Sequence, residues 1–111
     1  MKKIKIWVDD IRPAPKGYVS FKTVNDTIDF LSKADLSLVE VIDLDHDAGD
    51  YYSEGGDYIR ILDWLEYKQI SIPISIHSGN PVGIKNMMRI IAKNGWTYVP
   101  TEDEIACGLS F

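Results

Sequence analysis

The sequence has little of what stabilises secreted proteins or anchors proteins in membranes. It contains one cysteine, Cys107, among 111 residues, so an internal disulfide is impossible. No apolar run approaches the roughly 20 residues of a membrane span. The N-terminal stretch MKKIKIWVDD reaches two aspartates without a signal-peptide cleavage pattern. We therefore expect a single cytoplasmic domain covering residues 1–111, with no membrane partner.

Positive charge is also scarce. Twelve Lys and Arg face seventeen Asp and Glu, which gives a net charge of −5. Duplex nucleic acid is bound through a broad basic face, so this composition argues against duplex DNA as a partner. It leaves open the binding of one phosphate group, on a small molecule or at an RNA end. Histidine is rarer still, since only His46 and His77 occur.

The periodicity of apolar residues along the sequence predicts alternating strands and helices. Strands are predicted at residues 4–8, 18–22, 38–44, 72–77 and 96–99. Helices are predicted at residues 23–33, 56–68 and 80–95, and Thr101 with Glu104 forms a candidate capping box for a short terminal turn. Between the first two strands, Pro13, Pro15 and Gly17 exclude a regular helix.

This order of elements predicts an α/β fold. Right-handed βαβ crossovers give parallel strands, so we expect a flavodoxin-like three-layer sandwich with a five-stranded sheet in the order 2-1-3-4-5. The proline-rich loop would replace the first crossover helix, and one face of the sheet near strand 1 would be thinly covered.

Charged residues follow three of these strands directly. The stretch VIDLDHDAG, residues 41–49, begins as a buried strand and ends in Asp45, His46 and Asp47. Asp9 and Asp10 end the first strand, and His77 ends the fourth. Adjacent strands lie ~4.8 Å apart, so the three tips should meet at one edge of the sheet, where α/β proteins bind ligands. Asp43 lies inside its strand and is expected to have a hydrogen-bonded structural role.

The carboxylates at this edge indicate a metal site. Facing carboxylates repel one another unless they are protonated or bind a cation, and hard oxygen ligands suit Mg²⁺ or Mn²⁺. The candidate ligands are Asp9, Asp10, Asp45 and Asp47. The alternative is a solvated acidic loop, because Asp is common in turns.

The remaining candidates would act on a phosphate. His46 and His77 are suited to acid–base catalysis near neutral pH, or to binding a softer metal. Ser78 either bonds a phosphoryl oxygen or ends the turn. The helix that begins after Asn80 offers N–H groups to an anion, with Gly79 and Gly83 keeping the approach open, although Asn80 also serves as an ordinary cap.

The layout resembles a response-regulator receiver domain. Asp9, Asp10, Asp45 and Ser78 occupy the places of its acidic pair, phosphate-accepting aspartate and strand-4 hydroxyl. The lysine that receivers carry after strand 5 is missing, because residues 96–100 contain none. The resemblance implies that Asp45 can accept a phosphoryl group, and without that lysine we expect no long-lived aspartyl phosphate at neutral pH.

A closer resemblance rests on three blocks in order, WVDDIRPAPKGY, LDHDAG and IHSGNPVG. They resemble a small receiver-like family described as cyclic-phosphate processing. The resemblance implies a metal-assisted hydrolase acting on a cyclic phosphate, such as an RNA 2′,3′-cyclic end or a nucleotide. One histidine would activate water and the other would protonate the leaving oxygen, while Arg12 would either clamp a phosphate oxygen or remain a solvated charge.

The alternative is a catalytically silent receiver-like module for binding or signalling. Such a module would keep the scaffold and the metal site but would act by docking to a protein partner. Its candidate surface consists of Tyr51, Tyr52, Trp96 and Tyr98.

Overall fold

The computed structural model of the chain describes residues 3–106. The strands are β1 (Ile4–Val8), β2 (Tyr18–Phe21), β3 (Val39–Leu44) and β4 (Ile74–Ile76), and the helices are α1 (Val24–Lys33), α2 (Ile59–Lys68), α3 (Pro81–Asn94) and α4 (Glu102–Ala106). Single 3-10 turns cover Leu36–Leu38 and Gly49–Tyr51. Cys107 lies outside the described residues. No helix between residues 3 and 106 is both long enough and apolar enough to span a bilayer.

The sheet is parallel and has the order β2-β1-β3-β4. The predicted order is therefore confirmed for four strands, and the prediction of a fifth is wrong. In place of that strand, Tyr98 makes an isolated bridge to Ile74, where Val99 N donates to Ile74 O at 2.8 Å. The segment is confined between Gly95, which ends α3 in a left-handed conformation, and Pro100, which has no N–H to extend a ladder.

The predicted N-caps of helices α1 and α3 are confirmed. Thr23 Oγ1 accepts from the N–H of Asp26 at 2.9 Å and begins α1. Asn80 Oδ1 accepts from the N–H of Gly83 at 3.0 Å and begins α3, with a proline at the first helical position. These caps satisfy N–H groups that a helix start leaves free, and so they fix where each helix begins.

The other two helices differ in how well the sequence located them. Helix α2 begins at Ile59 rather than at the predicted Gly56, because Gly56 has a φ of +91°, which no α-helix contains. The predicted capping box is confirmed at α4. Thr101 N donates to Glu104 Oε1 at 2.9 Å, and Glu104 N donates to Thr101 Oγ1 at 3.2 Å.

The three long helices bury their apolar faces in one cluster. That cluster joins alternate strand residues such as Ile6 and Leu44 to Leu31, Leu65 and Met87 of the helices. Alternate residues of a strand point to opposite faces, so these helices share one face of the sheet. Between residues 3 and 106 the predicted three-layer sandwich thus has two full layers.

The second face of the sheet is smaller and more polar. It carries Trp7, Asp43 and Ser75, which lie at matching register positions on β1, β3 and β4 and are all buried. The proline-rich loop covers part of it, since Trp7 Nε1 donates to the carbonyl of Arg12 at 3.1 Å. The loop that replaces the first crossover helix therefore packs beside the strand tips, and it brings Arg12 to that edge.

Candidate functional site

The three charged strand ends lie side by side at the carboxyl edge of the sheet. Asp45 N donates to Val8 O at 2.9 Å, and His77 N donates to Leu44 O at 2.8 Å. These bonds continue the ladders from β1 to β3 and from β3 to β4 by one residue each. They confirm that the two histidines follow adjacent strands at one edge.

Asp9, Asp10 and Asp45, called the acidic trio below, converge at this edge. Each offers a carboxylate oxygen, and the three oxygens lie within 4.8 Å of one another. Burial and the nearby charges of Asp9 and Asp45 raise the pKa of Asp10, although a backbone N–H bond opposes the rise. Three oxygen donors that repel one another fit a hard divalent cation such as Mg²⁺ or Mn²⁺.

The carboxylate of Asp10 lies against Gly49. Gly49 has a φ of +55°, and a Cβ built on it would overlap Asp10 Oδ2. The 3-10 turn that begins at Gly49 therefore packs directly against the acidic trio. A glycine is needed here both for the left-handed backbone and for the close approach.

Asp47 does not join the trio and contacts His46 instead. His46 Nδ1 lies 2.7 Å from Asp47 Oδ1, and Asn80 Nδ2 donates to the same oxygen at 3.2 Å. The hydrogen bond from His46 lowers the pKa of Asp47. Burial opposes this, but the bond from Asn80 and the His46 charge add to the lowering, which prevails. Asp57 lies close to both, with ligand atoms of the three residues within 4.8 Å.

His46 lies over the first turn of α3. A Cβ on Gly83 would overlap the His46 ring, so the missing side chain of Gly83 makes the seat for the imidazole. The His46 side chain is 14% exposed. The polar contacts of its ring within residues 3–106 all involve Nδ1, which lies 2.7 Å from Asp47 Oδ1 and 3.5 Å from Asn80 Nδ2. Nε2 is thus the ring atom left for a ligand or a water.

His77 is held between two carboxylates. Nδ1 lies 2.5 Å from Asp43 Oδ1, and Nε2 lies 2.9 Å from Asp9 Oδ2. The ring of Trp7 stacks on it, with centroids 3.6 Å apart and planes 6° from parallel. The His77 side chain is only 8% exposed. The structural hydrogen-bonded role predicted for Asp43 is confirmed by this pair.

Asp9 is the most tightly held member of the trio. Burial alone would raise its pKa, but N–H bonds from Ile11 and Arg12, together with the bond and charge of His77, outweigh burial, and the pKa is lowered. The two backbone bonds reach Oδ1 at 2.8 and 2.9 Å, and His77 reaches Oδ2. Asp9 is therefore an ionised, oriented carboxylate.

The remaining predicted residues also lie around this edge. Arg12 donates from its guanidinium to the carbonyl of His77 at 3.5 Å. Ser78 Oγ accepts from Asn80 N at 3.1 Å, which is the turn-ending role, and Asn80 both caps α3 and bonds Asp47. Gly79 has open space around an added Cβ, so the close approach is at Gly83 instead.

Two residues that the sequence analysis passed over complete the edge. Lys22 directly follows β2, and its Nζ donates to the carbonyl of Asp10 at 3.3 Å. Tyr58 is fully buried, its hydroxyl donates to the carbonyl of Lys22 at 2.7 Å, and its N–H donates to the carbonyl of His46 at 2.9 Å. Burial and the charges of the trio raise the pKa of the Tyr58 hydroxyl. The position of Lys22 after β2 was a sufficient signal to find it.

The aromatic residues predicted as a docking surface do not share one exposed patch. Tyr52 is exposed, whereas Tyr51, Trp96 and Tyr98 are half-buried and pack against the core. Tyr98 also donates its hydroxyl to Glu104 at 2.6 Å. Of the four, Tyr52 is the one that presents most of its surface to a partner.

A parallel sheet of order 2-1-3-4 with acidic residues after β1 and β3 defines a receiver-like domain. The family model described as "Cyclic-phosphate processing Receiver domain" matches residues 4–93, from the first strand to the last turn of α3. The chain belongs to this family of receiver-like domains. No curated protein and no solved structure matches it significantly.

Proposed function

We propose that this domain is a metal-assisted hydrolase of a cyclic phosphate, either an RNA 2′,3′-cyclic end or a cyclic nucleotide. The observation that carries the proposal is the convergence of the acidic trio and His46 at one edge of the sheet. Membership of a family described as cyclic-phosphate processing supports the substrate class.

Asp9, Asp10 and Asp45 would hold Mg²⁺ or Mn²⁺. When bound, the ion would supply positive charge that neutralises the phosphate and polarises its P–O bonds. Hydrogen bonds keep Asp9 ionised and able to bind the ion, and Asp10 lies close to the charges of Asp9 and Asp45, which a bound ion would neutralise. Asp45 is oriented by the N–H of His46, which donates to its Oδ1 at 2.7 Å.

His46 is assigned the proton transfers. With Nδ1–H donating to Asp47, the lone pair is on Nε2, which can take a proton from water. The water oxygen then bonds to phosphorus, one ring P–O bond breaks, and the leaving oxygen receives the proton from Nε2. The product is a phosphomonoester, and the histidine returns to its starting form.

His77 is assigned a positioning role. Both ring nitrogens are already hydrogen-bonded to carboxylates, Nδ1 to Asp43 and Nε2 to Asp9. Neither nitrogen is left to take a proton from water. His77 fixes Asp9 instead. The proposed mechanism therefore differs from the sequence-based expectation that both histidines transfer protons.

Arg12, Ser78 and Asn80 support the site. Arg12 is exposed and reaches the His77 carbonyl, and we assign it to a phosphate oxygen of the substrate. Ser78 and Asn80 set the turn before α3, and Asn80 also orients Asp47.

The test is direct hydrolysis of 2′,3′-cyclic CMP and of a short RNA with a 2′,3′-cyclic end, with Mg²⁺ or Mn²⁺ present. Phosphorus NMR should show the cyclic signal converting to a monoester. His46→Gln should slow the reaction on the order of 100-fold or more, the usual contribution of a general base. Asp50→Asn, on the exposed 3-10 turn nearby, is the matched control and should retain the rate. Failure of the wild type to hydrolyse either substrate would refute the proposal.

A catalytically silent docking module is the second candidate. It is favoured by three large apolar side chains exposed around this edge, Ile11 at 81% and Tyr52 at 61% in loops and Val82 at 70% in the first turn of α3. It predicts no turnover at any pH, whereas acid–base catalysis by His46 predicts a rate that depends on pH.

A further inference from the structure

Lys22 places a positive charge beside the acidic trio without pairing with it. Its Nζ donates to the backbone carbonyl of Asp10 at 3.3 Å. Among the ion pairs of residues 3–106, none includes Lys22, although three carboxylates converge at the neighbouring strand tips. An ammonium has three N–H donors, so this contact leaves two for another acceptor.

The backbone at Lys22 is held from two directions, by the residue that follows β1 and by Tyr58, which precedes α2. Asp9 N donates to the carbonyl of Phe21 at 3.2 Å, which ties the end of β2 to β1. The buried hydroxyl of Tyr58 holds the carbonyl of Lys22 itself. The ammonium lies 5.9 Å from the centre of the Tyr51 ring, which limits where the side chain can turn. The charge therefore projects from an anchored position.

The two cations of the edge come from opposite sides of the acidic trio. Lys22 follows β2, whereas Arg12 reaches the end of β4. In the order β2-β1-β3-β4, the trio follows the two strands between them. Arg12, like Lys22, has no carboxylate partner among the ion pairs of the described residues. Two unpaired cations flanking three carboxylates fit a ligand that is itself an anion bound through a cation.

We propose that Lys22 binds a phosphoryl oxygen of the ligand held at the acidic trio. It supplies, from the β2 edge of the sheet, an ammonium that residues 96–100 do not contain. The inference rests on the proposed phosphate site but concerns binding rather than bond cleavage. Lys22 is thus a specificity-determining residue that favours phosphorylated ligands over neutral ones.

The test is a titration of the folded chain with inorganic phosphate in the presence of Mg²⁺, followed by amide chemical shifts. Lys22→Gln should weaken phosphate binding by about tenfold, the effect of losing one hydrogen bond between charged groups. Lys22→Arg keeps the charge and should retain most of the affinity. The matched control is Lys68→Gln, because Lys68 also lies 5.9 Å from a tyrosine ring but is in the last turn of α2. It should bind phosphate as the wild type does.

The possible results separate this inference from the proposed hydrolysis. Unchanged phosphate affinity in Lys22→Gln, or no phosphate binding by the wild type, would overturn the role of Lys22. If the wild type binds phosphate through Lys22 but hydrolyses no cyclic phosphate, the hydrolase proposal fails and the inference stands. If hydrolysis occurs and Lys22→Gln leaves both KM and phosphate affinity unchanged, the inference about Lys22 fails and the hydrolase proposal stands.

Discussion

His77 donates from Nδ1 to Asp43 across the β3–β4 pair, with 2.5 Å between nitrogen and oxygen. Both side chains are nearly buried, at 8% and 11% exposure. The pair lies on the polar face of the sheet, and Trp7 stacks on the imidazole. It joins the interior of that face to the acidic trio, because the other nitrogen of His77 bonds Asp9.

Removing one member of this pair should destabilise the fold strongly. Asp43→Ala leaves His77 buried with one unpaired N–H, and we expect the free energy of unfolding to fall by about 3–5 kcal/mol, as for other broken buried pairs. Urea unfolding measures the change. Asp29→Ala, which breaks the exposed pair with Lys33, should cost less than about 1 kcal/mol. Equal effects of the two substitutions would contradict a structural role for the Asp43–His77 pair.

Gly83→Ala should displace His46 without unfolding the protein. The added methyl group overlaps the imidazole, although alanine favours the helix at this position by ~1 kcal/mol. The ring signals of His46 should shift in NMR spectra, and hydrolysis of a cyclic phosphate should slow on the order of 100-fold. Gly79→Ala is the control, because a Cβ there meets open space. If the His46 ring does not move in Gly83→Ala, the absence of a side chain at residue 83 is not needed to position the imidazole.

Asp10→Asn should stabilise the metal-free protein at neutral pH. The pKa of Asp10 is raised, so the folded state binds a proton more readily than the unfolded state, and the wild type loses stability as pH rises through the folded pKa. The variant does not titrate at this position, and its advantage should grow over that range to about 0.5–2 kcal/mol. Thermal unfolding in EDTA measures it. Added Mg²⁺ should stabilise the wild type and narrow the gap, and a constant gap would argue against metal binding by the trio.

Asp9 should show the opposite dependence on pH. Its pKa is lowered from the ordinary value of 3.8, so its contribution to stability is present above that value and is lost as pH falls through the lower folded pKa. Asp9→Asn should be less stable than the wild type at pH 6 by about 1–3 kcal/mol, since three donors lose an ionised acceptor. The stability difference should shrink as the pH falls through the lowered pKa of Asp9 in the folded state. Asp63→Asn, on the exposed side of α2, should follow the wild type throughout.

The sequence located the site edge because its signals are local. The bounds of β1, the caps of α1 and α3, and the strand-end positions of Asp9, Asp45 and His77 all follow from neighbouring residues. The isolated bridge at Tyr98 was harder to predict, because four residues that favour a strand, residues 96–99, do not show how many of them pair with β4. The late start of α2 depends on the left-handed φ of Gly56, which the sequence permits but does not require.

The partners of the site residues could not be found in the same way. His77 lies 34 residues from Asp43 and 68 residues from Asp9, and no spacing rule joins them. The contact of His46 with Gly83 likewise joins the loop after β3 to α3, and it is set by how the helix packs. Sequence reasoning thus identified which residues reach the edge, whereas their pairing, and so the different roles of the two histidines, required the three-dimensional arrangement.

Tyr58 determines how this edge moves. Its hydroxyl holds the end of β2, its N–H holds the end of β3, and its ring is wholly inside the core. Moving Tyr58 away from either segment breaks one of these hydrogen bonds, and moving its ring also exposes buried aromatic surface, which is costly. The amide proton of Tyr58 should therefore exchange with solvent more slowly than those of the exposed loop residues around it. A ligand would meet a rigid surface of fixed shape, and selection among phosphates would depend on fit rather than on closure around the ligand.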